Sequence, residues 1–144
     1  MKNCNEIMRG ERAELSKKNP YYISKHRYYE LKHHCLQYPE WERRIALEHS
    51  RRLKSGLFID TGTDGCIDDK VSEIACNVAY LEMWEDEIKK CCEESDPTIA
   101  NYIFKAVTEG KSYNTLVVDG IPCGREYFYI RYRKFFYLLS KCRE

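Results

Sequence analysis

The chain has 144 residues, a length that suits one domain or a small pair of subdomains. Its residues are 43% hydrophobic and 33% charged, proportions that exclude both a disordered chain and a membrane protein. No apolar run approaches the ~18 residues that a membrane-spanning helix needs. Charged residues stand where a secretion signal would be apolar, so we expect a cytoplasmic protein that does not contact membranes.

Eight cysteines are scattered through the sequence without a C-x-x-C motif. A secreted protein would use so many cysteines as disulfides, but a cytoplasmic one keeps them as reduced thiols. The spacing does not match a structural zinc site. We therefore expect no bound metal and no cofactor.

The net charge of +1 hides a strong asymmetry along the chain. Residues 1–55 carry a charge of +6, residues 56–100 carry −9, and residues 101–144 carry +4. Basic ends favour contact with a polyanion such as nucleic acid, whereas blocks of opposite sign also attract each other within one fold. Composition alone leaves both interpretations open.

The first elements are two helices that follow a polar lead-in at residues 1–19. Ser24 is a good N-cap for a helix over 25–37, and Pro39 suits the first turn of a second helix. We expect the two helices to pack as a hairpin. Their apolar stripes contain Tyr28, Leu31 and Cys35, and then Trp41, Ile45 and His49.

A loop at 55–67, rich in Gly, Asp and Thr, separates this region from a long acidic helix over Asp68 to Ser95. At about 1.5 Å per residue that helix is a rod of about 40 Å. The apolar stripe of this helix has to pack against another helix. That partner is either the N-terminal hairpin or the same helix of a second chain in a homodimer. The stripe consists of Val71, Ile74, Val78, Leu81, Ile88 and Cys92, interrupted by Glu85.

The remaining residues, 96–144, predict three further helices at 97–109, at 112–118 and at about 124–142. Gly110 is a suitable stop for the first, and the Asp119-Gly120 pair ends the second. Nothing in the sequence alternates with the period of a strand, so the fold class is all-α: an N-terminal hairpin region over 20–95 and a C-terminal domain.

A helix, a tight break, a short helix, a glycine-containing turn and a long basic helix form the layout of a helix-turn-helix. Gly120 can take the positive φ that the turn needs. The core of such a unit would contain Val107, Leu116, Ile121, Phe128, Phe135 and Leu139.

The predicted buried stripe of the last helix contains Phe128, Tyr132, Phe135 and Leu139. Another face of that helix then carries Arg125, Tyr129 and Arg133, at i, i+4 and i+8, with Glu126 beside them. Arginine can grip guanine through two hydrogen bonds, whereas lysines suit phosphate contacts. The alternative is a solvated basic face on an ordinary bundle. The expected phosphate contacts are Lys111, Lys134 and Lys141, and Arg131 can serve either purpose.

The stretch TEGKSYNTLVVDGIPCGREYFYIRYRKFFYLL resembles the C-terminal helix-turn-helix of small regulators from Gram-positive prophages and mobile elements, of the RinA/ArpU type, and more distantly region four of sigma factors. The stretch YYISKHRYYELKHHCLQYPEW is similar to the opening of small prophage proteins that end in this way. The resemblance implies activation of phage late genes by promoter binding, with Arg125, Tyr129 and Arg133 on the recognition helix.

Three other motifs give weaker indications. LFIDTG at 57–62 is like the catalytic loop of an aspartic protease, but such a loop needs a β-rich fold. Asp60, Asp64 and Asp68 match only half of a calcium loop. His33, His34 and Cys35 are consecutive on a helix and cannot converge on one metal.

We therefore expect no catalytic residues and a DNA-binding transcriptional regulator. The alternative is a mobile-element protein that inhibits a host protein, such as a nuclease in the manner of an anti-CRISPR protein, or a polymerase, through its acidic surface.

Overall fold

The computed structural model describes residues 17–56 and 68–144, which form six helices and no strand. The all-α fold class is therefore confirmed for these residues. Most of the lead-in lies outside them, as do residues 57–67, which contain the protease-like motif and all of the calcium-like motif except Asp68. The helices are α1 (Lys25–Leu36), α2 (Tyr38–Gly56), α3 (Asp68–Ser95), α4 (Ala100–Glu109), α5 (Tyr113–Val118) and α6 (Arg125–Cys142).

Helix α1 begins as its sequence predicts. Ser24 has extended backbone angles, and its hydroxyl accepts a hydrogen bond of 3.3 Å from the amide of Arg27. This bond satisfies one of the free amides of the first turn. The predicted stripe of Tyr28, Leu31 and Cys35 is buried.

The junction of α1 and α2 is a single residue, Gln37. Antiparallel packing of two helices needs a loop of about 2–5 residues, so this junction bends the chain instead of reversing it. The predicted hairpin of these two helices is not confirmed, because α2 packs mainly against α3. The Trp41 and Trp84 rings lie 5.3 Å apart across that contact, and the His49 Nε2 lies 3.4 Å from a Glu82 carboxylate oxygen.

Helix α3 has the bounds that were predicted, and its apolar stripe is used within the chain. Val78, Leu81, Ile88 and Cys92 are buried within the chain, so this part of the stripe has its packing partners inside the fold. Glu85, which interrupts the stripe, is partly buried, and burial raises the pKa of its carboxyl.

Helix α4 begins at Ala100, three residues later than predicted. The reason is a local hydrogen bond, in which the Asp96 carboxylate accepts the Thr98 amide at 2.8 Å. An aspartate that binds the backbone two residues later favours a turn over a helix. Gly110 ends the helix with φ +71°, as predicted.

Helix α6 lies against α1, α3 and α4, and its aromatic stripe supplies much of the core. The Tyr28 ring of α1 packs edge-on against Phe136 at 5.0 Å. Near the opposite end of the stripe, Phe128 and Tyr113 of α5 are 5.8 Å apart. The buried residues of α6 are Phe128, Tyr132, Phe135, Phe136 and Leu139.

One continuous core cluster joins the regions before and after residue 95. It includes Leu31 and Leu81 from the N-terminal region together with Leu116 and Phe135 from the C-terminal one. The boundary proposed from the sequence at 95/96 is therefore not a division between two cores. None of the described helices has the length and apolar character needed to cross a bilayer.

His34 is the unusual polar member of the packed interior. Its ring lies 4.7 Å from Trp41 and 5.3 Å from Trp84, and its Nε2 is buried without a hydrogen-bond partner among the described residues. Burial first, and then the positive charge of Arg143, lower the pKa of His34 to about 4. His33 beside it is exposed, so the two histidines do not form a common site.

We expect His34 to make the fold sensitive to acid. Since its pKa is lowered on folding, the unfolded chain binds more protons between pH values of about 6.5 and about 4. The free energy of unfolding should fall by roughly 2–3 kcal/mol as the pH decreases through this window. Urea denaturation at a series of pH values measures this slope. The control is His34→Phe, which keeps the aromatic packing; an equally steep slope in that variant would contradict the assignment to His34.

Candidate nucleic-acid interface

The turn between α5 and α6 is fixed by backbone hydrogen bonds and one glycine. Gly120 has φ +91°, a conformation that side chains disfavour. The Ile121 amide donates to the Leu116 carbonyl at 3.1 Å, which closes the end of α5. Gly120 therefore takes the role that the sequence predicted for it.

Two tyrosines hold the same turn from the side. The Tyr102 hydroxyl of α4 donates to the Gly120 carbonyl at 3.2 Å, and the Tyr113 hydroxyl of α5 donates to the Cys123 carbonyl at 2.7 Å. These bonds satisfy carbonyl oxygens of the turn, and tyrosine combines a donor with apolar area. The position of the first turn of α6 is therefore set by both preceding helices.

Asp96 fixes the first turns of α6 to the junction of α3 and α4. Its carboxylate accepts a hydrogen bond from the Tyr127 hydroxyl and lies 3.6 Å from the Nε of Arg131. Asp96 is only 7% exposed, so these partners are required to offset the cost of burying its charge. The hydrogen bond from Tyr127, followed by those from Thr98 and the charge of Arg131, lowers the pKa of Asp96.

Arg131 has contacts within the chain that its sequence position did not predict. Besides its contact with Asp96, its guanidinium lies 5.0 Å from the centre of the Tyr127 ring. These contacts hold the Arg131 side chain, which is 30% exposed, against the fold. Sequence spacing on α6 gave no sign of Asp96, which is 35 positions away.

Arg125 and Tyr129 lie together on the exposed edge of α6. Arg125 is exposed, and its guanidinium carbon is 5.7 Å from the centre of the Tyr129 ring. Tyr129 is partly buried and packs edge-on against Phe128 at 5.1 Å. The ring therefore connects the exposed arginine to the core and restricts its movement.

The rest of the predicted DNA-binding face of α6 is less exposed than expected. Glu126 is exposed, but Arg133 is partly buried and has an interaction within the chain. The centre of the outward face is Ile130, which is 51% exposed. Sequence reasoning did not select Ile130, although at about 100° per residue it lies opposite the buried stripe. Arg125, Tyr129 and Arg133 thus form one flank of the exposed face.

The three predicted phosphate-binding lysines are not gathered in one place. Lys134 is partly exposed on α6, and Lys141 is about 10 Å further along the helix axis. The Lys141 Nζ lies 3.5 Å from Glu144. Lys111, in the loop before α5, lies 3.3 Å from Asp119 and 3.4 Å from Glu109, and both raise its pKa. Lys111 and Lys141 therefore have carboxylate partners, which weakens them as phosphate contacts.

The described residues contain no group of three or more histidine, cysteine or acidic side chains arranged to hold a metal ion. A shallow cleft of about 280 Å³ lies beside Tyr127, between the start of α4 and Gly124. No protein-family model, curated protein or solved structure matches the chain.

We expect Asp96→Asn to destabilise the fold and release the first turns of α6, because Arg131 loses its counter-charge. At about pH 7 the free energy of unfolding should fall by about 2–3 kcal/mol. The contribution of Asp96 is present above the pKa of an unfolded aspartate and is lost as the pH falls through its lowered native pKa. The difference between variant and wild type should therefore shrink in strong acid. Urea denaturation measures both effects, with Asp86→Asn, an exposed carboxylate of α3, as control.

Proposed function

We propose that the protein is a phage-type transcriptional regulator that binds double-stranded DNA, with the N-terminal half of α6 in the major groove. The observation that carries the proposal is the exposed Arg125, stacked on Tyr129 at the first turn of a helix whose orientation is fixed. A recognition helix reads bases with its N-terminal residues, and at this end of α6 the guanidinium of Arg125 is exposed to solvent.

Arg125 suits direct reading of a base. Two parallel hydrogen bonds from a guanidinium to guanine give about 1–3 kcal/mol of discrimination against other bases. Because Tyr129 already restricts the Arg125 side chain, that side chain loses less conformational freedom when it binds DNA. The free-energy cost of association is therefore lower. Glu126 on the same turn can accept a hydrogen bond from cytosine.

The hydrogen bonds that hold the first turn of α6 against the rest of the fold also favour DNA binding. A base-reading helix has to meet the groove at one angle, and here Asp96, Tyr102 and Tyr113 fix its first turn through hydrogen bonds to Tyr127 and to the preceding turn. Phosphate contacts would come from Lys134 and from Arg133 at the edge of the exposed face. If two chains associate, their recognition helices would read half-sites about 34 Å apart in a near-palindromic target.

We expect binding to enriched DNA to depend steeply on salt. A duplex selected from a random pool and titrated by fluorescence anisotropy should lose at least tenfold in affinity between about 50 and 200 mM salt, because phosphate neutralisation releases counterions. Arg125→Ala combined with Arg133→Ala should weaken binding roughly 30-fold or more.

The matched control is Arg43→Ala combined with Arg44→Ala, which removes the same charge from the exposed face of α2. This control should bind nearly as well as the wild type. Affinity that ignores salt, or that is the same in both double variants, would refute the proposal.

The second candidate function is inhibition of a host nucleic-acid-binding protein. The observation that favours it is a pair of exposed carboxylates seven positions apart on one face of α3, Asp86 and Glu93, for which the described residues show no ion pair. Such a surface can occupy a basic groove that normally holds nucleic acid.

Pull-down from host extract before and after nuclease treatment separates the two functions. A partner that remains after DNA is destroyed and that is lost on Asp86→Lys combined with Glu93→Lys supports inhibition. A partner that disappears with the DNA supports the regulator.

A further inference from the structure

Two thiols face each other where the C-terminal end of α6 meets α3. The Sγ atoms of Cys91 and Cys142 are 3.9 Å apart and within hydrogen-bonding contact. Cys91 is fully buried, whereas Cys142, the last residue of α6, is exposed. One thiol can therefore meet a reagent from solvent, and the other is positioned directly behind it.

We propose that Cys91 and Cys142 form an oxidisable dithiol whose substrate is a hydroperoxide and whose product is a disulfide that links α6 to α3. This property is independent of DNA binding. It uses two cysteines that the proposed interface does not contain.

The first step takes place at Cys142. Its thiolate attacks one peroxide oxygen, so an S–O bond forms, the O–O bond breaks, and the leaving hydroxide takes a proton to become water. The sulfur becomes a sulfenic acid, and the peroxide is reduced by two electrons. Exposure assigns this step to Cys142, since burial raises the pKa of Cys91 and disfavours its thiolate.

The second step uses Cys91 as the resolving thiol. Its sulfur attacks the sulfenic sulfur of Cys142, so an S–S bond forms and the S–O bond breaks. The leaving hydroxide takes the Cys91 proton and departs as a second water. The two thiols and one hydroperoxide thus give one disulfide and two molecules of water, or water and an alcohol for an organic hydroperoxide.

The geometry needs only a small movement for this bond. The sulfurs have to approach from 3.9 Å to about 2.05 Å. Cys142 lies in the last turn of its helix, where following turns do not restrain the backbone. Arg143 keeps this end of α6 close to α3, because its guanidinium lies 3.5 Å from Glu87 and 5.5 Å from the centre of the Trp84 ring.

The test is oxidation of the full chain by hydrogen peroxide, followed by trypsin digestion and mass spectrometry. The tryptic peptides that begin at Cys91 and at Cys142 should be joined, with a mass about 2 Da below the sum of the separate thiol peptides. The linked species should persist in Cys92→Ser, which excludes the neighbouring cysteine. Cys76→Ser, which removes an exposed thiol elsewhere on α3, should also leave it unchanged.

The linked protein should melt roughly 5–15 °C higher than the reduced one, and dithiothreitol should reverse the shift. In Cys142→Ser, an exposed substitution that the fold tolerates, the shift should disappear. The proposal is overturned if Cys142 accumulates as sulfinic or sulfonic acid without linkage, if the product is a dimer linked between chains, or if Cys142→Ser keeps the shift.

Discussion

Burial of the aromatic stripe of α6 is the interaction on which the rest of the fold depends. Phe128 and Phe135 are almost completely excluded from solvent, and the helix that carries them contacts α1, α3 and α4. Burial of each such ring stabilises the fold by about 1.5–3 kcal/mol, more than any exposed ion pair. The packing also fixes the rotation of α6, because the face opposite the stripe has to point outward. Ile130 consequently lies at the centre of that face, and Arg125 lies on its flank.

Charged groups fix both ends of the same helix. At its beginning, Asp96 holds Tyr127 and Arg131. At its end, the Arg27 guanidinium of α1 donates to the carbonyl oxygens of Ser140, at 3.4 Å, and of Arg143, at 3.1 Å. These free carbonyls carry the negative end of the helix dipole, so a cation there is favourable. Aromatic packing thus decides how α6 is rotated, and the polar contacts at its ends hold its position. Such a supported helix is suited to present a small exposed edge to a partner.

Features that depend on neighbouring residues could be predicted from the sequence, whereas contacts between distant residues could not. Periodicity found the buried faces of α1 and α6, and the bounds of α3 were predicted without error. Three expectations needed more than periodicity. The hairpin of α1 and α2 is not confirmed, since only Gln37 joins the two helices. Helix α4 starts late because Asp96 binds the Thr98 amide, and Arg131 contacts Asp96. The contact between Arg131 and Asp96 depends on a residue in the junction between α3 and α4, which spacing along α6 cannot reveal.

The sequence by itself determined that the chain is helical, which side of each long helix is buried, and that Gly120 makes the turn before α6. These properties depend on residues three or four positions apart and on the backbone freedom of a single residue, so they can be read locally. Only the tertiary structure decided which helices became neighbours and which cations kept their charge exposed. A side chain's electrostatic partner is whatever folding brings within a few ångströms, and for Arg125 this is an aromatic ring, whereas for Arg131 it is a buried carboxylate.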